Sequence, residues 1–176
     1  MPISISPSPE IALLGFLLTE SLHGYEIHRR LTQPDGPGVV WHVKRSNLYA
    51  MLDRMESAGW VTSQSELADP RPPRKRFTLT DSGRLVFETW LTKPVAHPRE
   101  LRQTFLLKLY FANLAGAEPT RQLLMAQQAL CDQWLSLEPS SAEPFTQIVL
   151  SYRLHQIQAA RLWLAECLSN ISSHKD

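Results

Sequence analysis

Residues 44–79, KRSNLYAMLDRMESAGWVTSQSELADPRPPRKRFTL, constrain this chain most, because a helix, a stop and a hairpin can be read from them in order. Leu48, Met51, Leu52 and Met55 recur at helical spacing, which predicts an amphipathic helix from Arg45 to about Ala58. Gly59 follows the last periodic residue, where a left-handed cap needs a residue without Cβ. Two extended runs come next and flank a proline-rich loop holding Arg71, Arg74, Lys75 and Arg76 with no nearby acid. A helix with a polar, basic start followed by a basic β-hairpin is the core of a winged helix-turn-helix. One element can enter a major groove while the other grips phosphate.

The flanking residues extend that unit. Ser8-Pro9-Glu10 predicts a helix start, with a side-chain cap, a proline where its missing N–H costs nothing, and an acid in the first turn. Ile11, Leu13, Leu14, Phe16, Leu17 and Leu18 make this first helix apolar on most sides, so it belongs in the middle of the domain. Residues 22–31 predict a second helix with Ile27 and Leu31 inward and Arg29 and Arg30 outward, and 33–38 a Pro/Gly loop. Thr80-Asp81-Ser82 opens a fourth helix to about Leu91. Lys93 to Pro98, with two prolines, is the best boundary.

Beyond it three helices are predicted, over about 99–114, 120–137 and 143–171. The last carries two apolar stripes. Leu150, Leu154, Ile157, Leu164, Leu168 and Ile171 form one, interrupted by Arg161; Phe145, Val149, Tyr152, Ala159, Trp163 and Cys167 form the other. Two stripes suggest one face on the chain's own helices and one on a partner. The expected fold is mainly α with a small β-hairpin wing. A winged helix-turn-helix occupies 1–93, a linker 94–98, and a helical dimerisation domain 99–176.

Composition narrows the function classes without choosing among them. The formal charge of the 176 residues is +1, and residues 1–92 hold ten Lys or Arg against ten Asp or Glu. A case for nucleic acid therefore rests on local clusters. That neutrality supports one alternative, a winged helix that binds a partner protein and not DNA. Cys131 and Cys167 sit inside apolar helical patterns and read as small buried thiols. No run approaches the ~20 apolar residues of a membrane span and no charged leader precedes an apolar one, which predicts a soluble, cytoplasmic protein. Histidines at 23, 28, 42, 97, 155 and 174 lack metal-ligand spacing. No phosphate loop, nucleophile elbow or carboxylate pair argues for an enzyme, a metal or another cofactor.

The ordered set HGYEI (23–27), LYAMLDRMESAGWV (48–61) and RKRFTLTDSGR (74–84) closely resembles the PadR-like family of bacterial transcriptional regulators, and RELRQTFLLKLYFANL (99–114) resembles the first C-terminal helix of its larger members. The resemblance implies a cytoplasmic homodimer that binds palindromic double-stranded DNA, joined through its C-terminal helices. It implies a repressor relieved by a small aromatic compound. Lys44-Arg45-Ser46-Asn47 and Ala50 stand where members carry Ser or Thr with Pro and Gly, and a Pro after the Tyr, so operator preference is this chain's own.

The candidate DNA-binding residues are Lys44 and Arg45 for phosphate or a guanine edge, Ser46 and Asn47 for bases, and Tyr49, Arg54 and Tyr25 for backbone. Arg71, Arg74, Lys75 and Arg76 are the wing candidates. Strand alternation puts Arg74 and Arg76 on one face and Lys75 on the other. Leu150, Leu154, Ile157, Leu164 and Leu168 are the candidate dimer contacts. Among five tryptophans, Trp90 and Trp163 are the candidate effector walls.

Overall fold

A computed structural model describes residues 8–68, 71–137 and 143–173, without the side chains of 67, 68, 71–73, 172 and 173. Ser8 Oγ accepts from the Glu10 N–H and starts a 3-10 turn (Pro9–Ile11) that leads into α1 (Ala12–Gly15). Then come β1 (Leu22–His23), α2 (Gly24–Leu31), α3 (Arg45–Ser57), β2 (Val61–Ala68), β3 (Arg71–Leu79) and α4 (Asp81–Thr92). A π-helical turn (Leu101–Phe105) precedes α5 (Leu106–Ala115), α6 (Ala117–Ser136) and α7 (Pro144–Ser173).

Three local expectations change, the first being that α1 ends at Gly15 and leaves Phe16, Leu17 and Leu18 in the turn after it. Leu22 and His23, predicted as the start of the second helix, form a short strand instead. They pair with Phe77 and Arg76 of β3, which place β3 in the centre of a sheet ordered β1-β3-β2. Arg71, Arg74, Lys75 and Arg76 lie on β3 itself and not in a loop, paired across to β2 from Ala68↔Arg71 to Val61↔Leu79. The α3 stop and the α4 start behave as read. Gly59 has φ +74°, and the N–H groups of Gly59 and Trp60 turn back onto the carbonyls of Glu56 and Met55 to close α3. Thr80 Oγ1 accepts from the Gly83 N–H and starts α4.

Leu48, Leu52 and Met55 of α3 are buried with α1, Ile27, Leu31, Phe77 and Phe87 in one apolar core. Leu107 and Phe111 of α5 enter the same core, with Phe111 edge-on to both Phe16 and Phe87. The opposite side of the α5 segment contributes Phe105 and Ala112 to a second core with Leu123, Leu124, Cys131, Ile157 and Leu164. One helix thus seals two cores. Of residues 94–98, expected as a linker, Val95 joins the second core while 96–98 stay exposed. Val95 is fully buried, and its backbone N–H donates to Gln127 Oε1 at 2.8 Å. Lys108 is 2% exposed, with Nζ donating to the Trp90 carbonyl at 2.6 Å and the Lys93 carbonyl at 2.7 Å.

The faces of α7 separate differently from the expected dimer contacts. Ile157 and Leu164 are buried against the chain's own α5 and α6, Leu168 packs at the edge of that core, and Leu150 and Leu154 are half-buried. Arg161, which interrupts the stripe, forms an ion pair with Asp132 of α6. The stripe assigned to a partner is therefore the intrachain one, packed along α6 in the second core. Phe145, Ile148, Tyr152 and Leu162 remain 63–76% exposed.

Candidate nucleic-acid interface

The start of α3 projects from the domain. Lys44 is its N-cap residue, and Lys44, Arg45, Ser46 and Asn47 are all exposed in sequence. Among the described residues, no ion pair holds either cation. Leu48, one residue on, is fully buried, so the apolar anchor fixes the direction in which the four polar residues point. Tyr49 lies over the backbone of Gly24. A Cβ there would come within 2.5 Å of the Tyr49 ring, so the glycine is needed to let α2 and α3 approach. Tyr49 and Tyr25 are 36% and 37% exposed, which leaves both phenols wet.

Beside them stands the outer face of the wing. Arg74 lies 5.2 Å over the Tyr25 ring, and Tyr25 stacks on His23 with centroids 5.5 Å apart. Arg76 continues the row and donates to the Ser21 carbonyl at 3.0 Å. Lys75 points the other way, toward α3, as strand alternation requires, and pairs with Glu56 at 3.1 Å and Asp53 at 3.4 Å. The hydrogen bond from Lys75 and, more strongly, that from Ser63 hold the Glu56 carboxyl below its ordinary value. Lys75 fastens the hairpin to the helix and does not face the Tyr25 surface.

The expectation that no acid lies near the wing cations is wrong. Glu66 of β2 accepts from Arg76 Nε at 2.6 Å and lies 3.2 Å from His23 Nε2. Folding brings it there because the antiparallel register sets Glu66 opposite Arg74, ten residues from Arg76 in sequence. Counting the hairpin register back from its apolar ends was the signal available for it. Arg54 is likewise paired, with Glu10 at 2.7 Å. Arg71 joins β3 through its pairing with Ala68, and its side chain lies outside the described residues. Lys44 to Asn47 share the exposed start of α3, Arg74 and Tyr25 share the wing face, and Tyr49 of α3 lies over Gly24 beside Tyr25, whereas Lys75 is turned toward α3.

The two effector candidates part company. Trp90 is 3% exposed and packs in the first core against Phe87, with Lys108 Nζ 4.9 Å above its ring, so it is a core residue and not a ligand wall. Trp163 is 37% exposed and edges a cavity of about 780 Å³ with Arg99, Leu101, Arg102, Tyr152 and Ile157. The π-helical turn forms one side of this cavity, a distortion that recurs at functional sites. Tyr152 was read only as part of the second stripe of α7 and Arg99 and Arg102 only within a family-like stretch, none as a cavity wall, since nothing local marks a cavity between segments 50 residues apart.

A family model of the transcriptional regulator PadR-like family matches residues 13–89, the stretch from α1 to α4 that holds every element of this surface. Residues 13–89 are therefore a PadR-like region, less than half of the 176 residues. It is 28% identical over 175 residues to the negative transcriptional regulator PadR of Bacillus subtilis, covering 91% of this chain and 95% of that protein. It is also similar to the crystal structure of Bacillus subtilis PadR in complex with operator DNA, at 26% identity and a TM-score of 0.47 over 90% of this chain and 97% of the other. Against the same protein in complex with p-coumaric acid the values are 26% and 0.43, over 93% and 98%. A PadR-like domain accounts for α1 to α4; the helices from α5 onward fall beyond the family model but within the full-length Bacillus alignment. Among the described residues, no helix is long and apolar enough to cross a membrane, and no cluster of His, Cys, Asp and Glu is placed to hold a metal ion.

Proposed function

We propose that this protein is a cytoplasmic, homodimeric repressor that binds a palindromic DNA site and releases it when a small aromatic carboxylate is bound. The observation that carries the DNA-binding part is the exposed α3 start, Lys44 to Asn47, on a helix whose Tyr49 lies over Gly24, next to the Tyr25–Arg74 row. In this reading α3 enters the major groove. Asn47 and Ser46 meet base edges, Lys44 and Arg45 meet phosphate or guanine, and Tyr25, Tyr49 and Arg74 grip the flanking backbone. Residues 1–93 do the reading and 99–176 the pairing. Repression follows the 28% identical Bacillus protein, which is a negative regulator.

The dimer uses the outer stripe of α7. Phe145, Ile148, Tyr152 and Leu162 are large apolar groups that a second copy would remove from water, and a two-fold axis then sets half-sites ~34 Å apart or a multiple of it. The effector is placed in the cavity beside Trp163. Its tryptophan and tyrosine rings suit a flat aromatic body, while Arg99 and Arg102 suit a carboxylate. A ligand there touches the 98–102 segment and α7 together. It would shift DNA affinity if the two reading heads were spaced differently with ligand bound.

Titration of the full-length protein against random-sequence duplex at low salt tests the first part; saturable, salt-sensitive binding is expected, and none at all overturns it. Sedimentation at micromolar concentration tests the second. A dimer is expected, converted to monomer by Phe145→Asp with Tyr152→Asp, and a monomeric wild type overturns it. Phenolic acids should quench Trp163 and loosen duplex binding in wild type but not in Arg99→Gln with Arg102→Gln; equal responses in both remove the effector from this cavity.

A further inference from the structure

Glu66 sits among the cations of the surface assigned to phosphate. It accepts from Arg76 Nε at 2.6 Å and lies 3.2 Å from His23 Nε2, while its strand position faces Arg74. Arg76 is further held by the Ser21 carbonyl at 3.0 Å and His23 Nε2 at 3.1 Å. The Glu66 side chain is 48% exposed and that of Arg76 38%. An ion pair so exposed contributes little to folding, which gives stability little claim on a carboxylate at this place. Its effect on a polyanion is larger in consequence. It occupies a guanidinium that phosphate would otherwise take, and it adds a negative charge where phosphate must come.

We infer that Glu66 is a specificity-determining residue, a built-in counter-ion that competes with DNA phosphate for Arg76 and weakens sequence-independent binding. The inference rests on the DNA-binding reading above. The sequence-independent part of DNA affinity comes almost wholly from phosphate neutralisation. A carboxylate on the wing therefore subtracts from binding to any duplex on which Arg76 stays paired with it, and leaves base reading by α3 untouched. The ratio of specific to non-specific affinity rises because only a specific complex displaces Glu66 from Arg76 and recovers the contact. The device also explains how a winged domain with balanced charge can carry a basic hairpin without clinging to all DNA. Arg76 becomes available only where the fit at α3 brings phosphate close enough to displace Glu66.

The test uses the full-length protein and a random-sequence duplex over a salt series, with wild type, Glu66→Gln, Arg76→Gln and the double variant compared and thermal unfolding as the control for fold. Glu66→Gln should tighten binding several-fold at low salt and steepen the dependence of log K on log salt by about one phosphate contact. The gain should shrink in the Arg76→Gln background, because part of it comes from releasing Arg76. Glu66→Ala should move affinity in the same direction, so the result does not depend on one folded variant. Unchanged or weaker binding by folded Glu66→Gln overturns the inference while leaving DNA binding intact. Absence of duplex binding in wild type and variants alike overturns the DNA-binding reading, and this inference with it.

Discussion

The start of α3 and the β3 edge of the wing have similar composition and opposite electrostatic states. Lys44 and Arg45 extend into solvent from a helix end, and the next buried group, Leu48, lies beneath them. Lys75 and Arg76 lie on a central strand, where neighbours on both sides come within hydrogen-bonding reach, and each already has an acid. Helix ends spread side chains outward; antiparallel strands bring them together. Lys44 with Arg45 and Lys75 with Arg76, two pairs of equal formal charge, therefore offer unequal amounts of free charge to a polyanion.

The largest consequence is expected at α3. Lys44→Glu with Arg45→Glu should lower duplex affinity about a thousandfold at low salt, because unpaired cations are replaced by repelling charges. Anisotropy titration measures it, and a loss no greater than that of the wing variants would erase the contrast. Next is a third kind of cation, the buried Lys108, which is withheld from solvent altogether. Burial, opposed by nearby Glu100 and assisted by Lys93, pushes its ammonium down from 10.5 to about 8. Between those values the unfolded chain binds the extra proton. Burying the charge thus costs stability below pH 8, and the cost is recovered as pH rises toward 10.5, by roughly 3 kcal/mol in all. Denaturant unfolding of wild type and Lys108→Met across that range should show the rise only in wild type; parallel curves would remove Lys108 from the account.

Asn47→Ala comes third, with a loss of ~1–3 kcal/mol confined to particular base pairs and none on random duplex. Uniform loss across sequences would make Asn47 a backbone contact. Smallest is Arg76→Ala, expected to weaken duplex binding less than about threefold, because Glu66 already holds much of its charge. Arg74→Ala should cost more, since Arg74 faces the Tyr25 ring and not a carboxylate. If Arg76 proves the costlier of the two, the distinction between free and occupied wing cations fails.

Much of the fold was readable because it rests on local rules. Gly59 after a 3/4 apolar repeat, Thr80 before Asp81 and Ser8 before Pro9 each mark a helix end through a constraint on one or two residues. Strand β1 was not readable. Two residues do not make a periodic pattern, and Leu22–His23 become a strand only because β3 offers them an open edge. Half the candidate surface behaved the same way. Ser46 and Asn47 were legible from a helix start, whereas the partners of Lys75 and Arg76 depended on register. The stripes of α7 show the limit most directly. Periodicity revealed two apolar faces, but which one meets α6 depended on how α5 and α6 were already packed.

By itself, the sequence determined the order of the longer elements, the end of α3 and the start of α4, the inward residues of α3 and the family's winged motif, since each follows from spacing within about one turn or one hairpin. Tertiary structure alone decided which cations are free, that Val95 and Lys108 lock the joint, that Trp90 is core, and that Arg99, Arg102, Tyr152 and Trp163 share a cavity. The physical reason is range. Backbone propensity and periodicity act between neighbours along the chain, whereas desolvation, ion pairing and cavity shape are set by atoms a few ångströms apart in space and tens of residues apart in sequence.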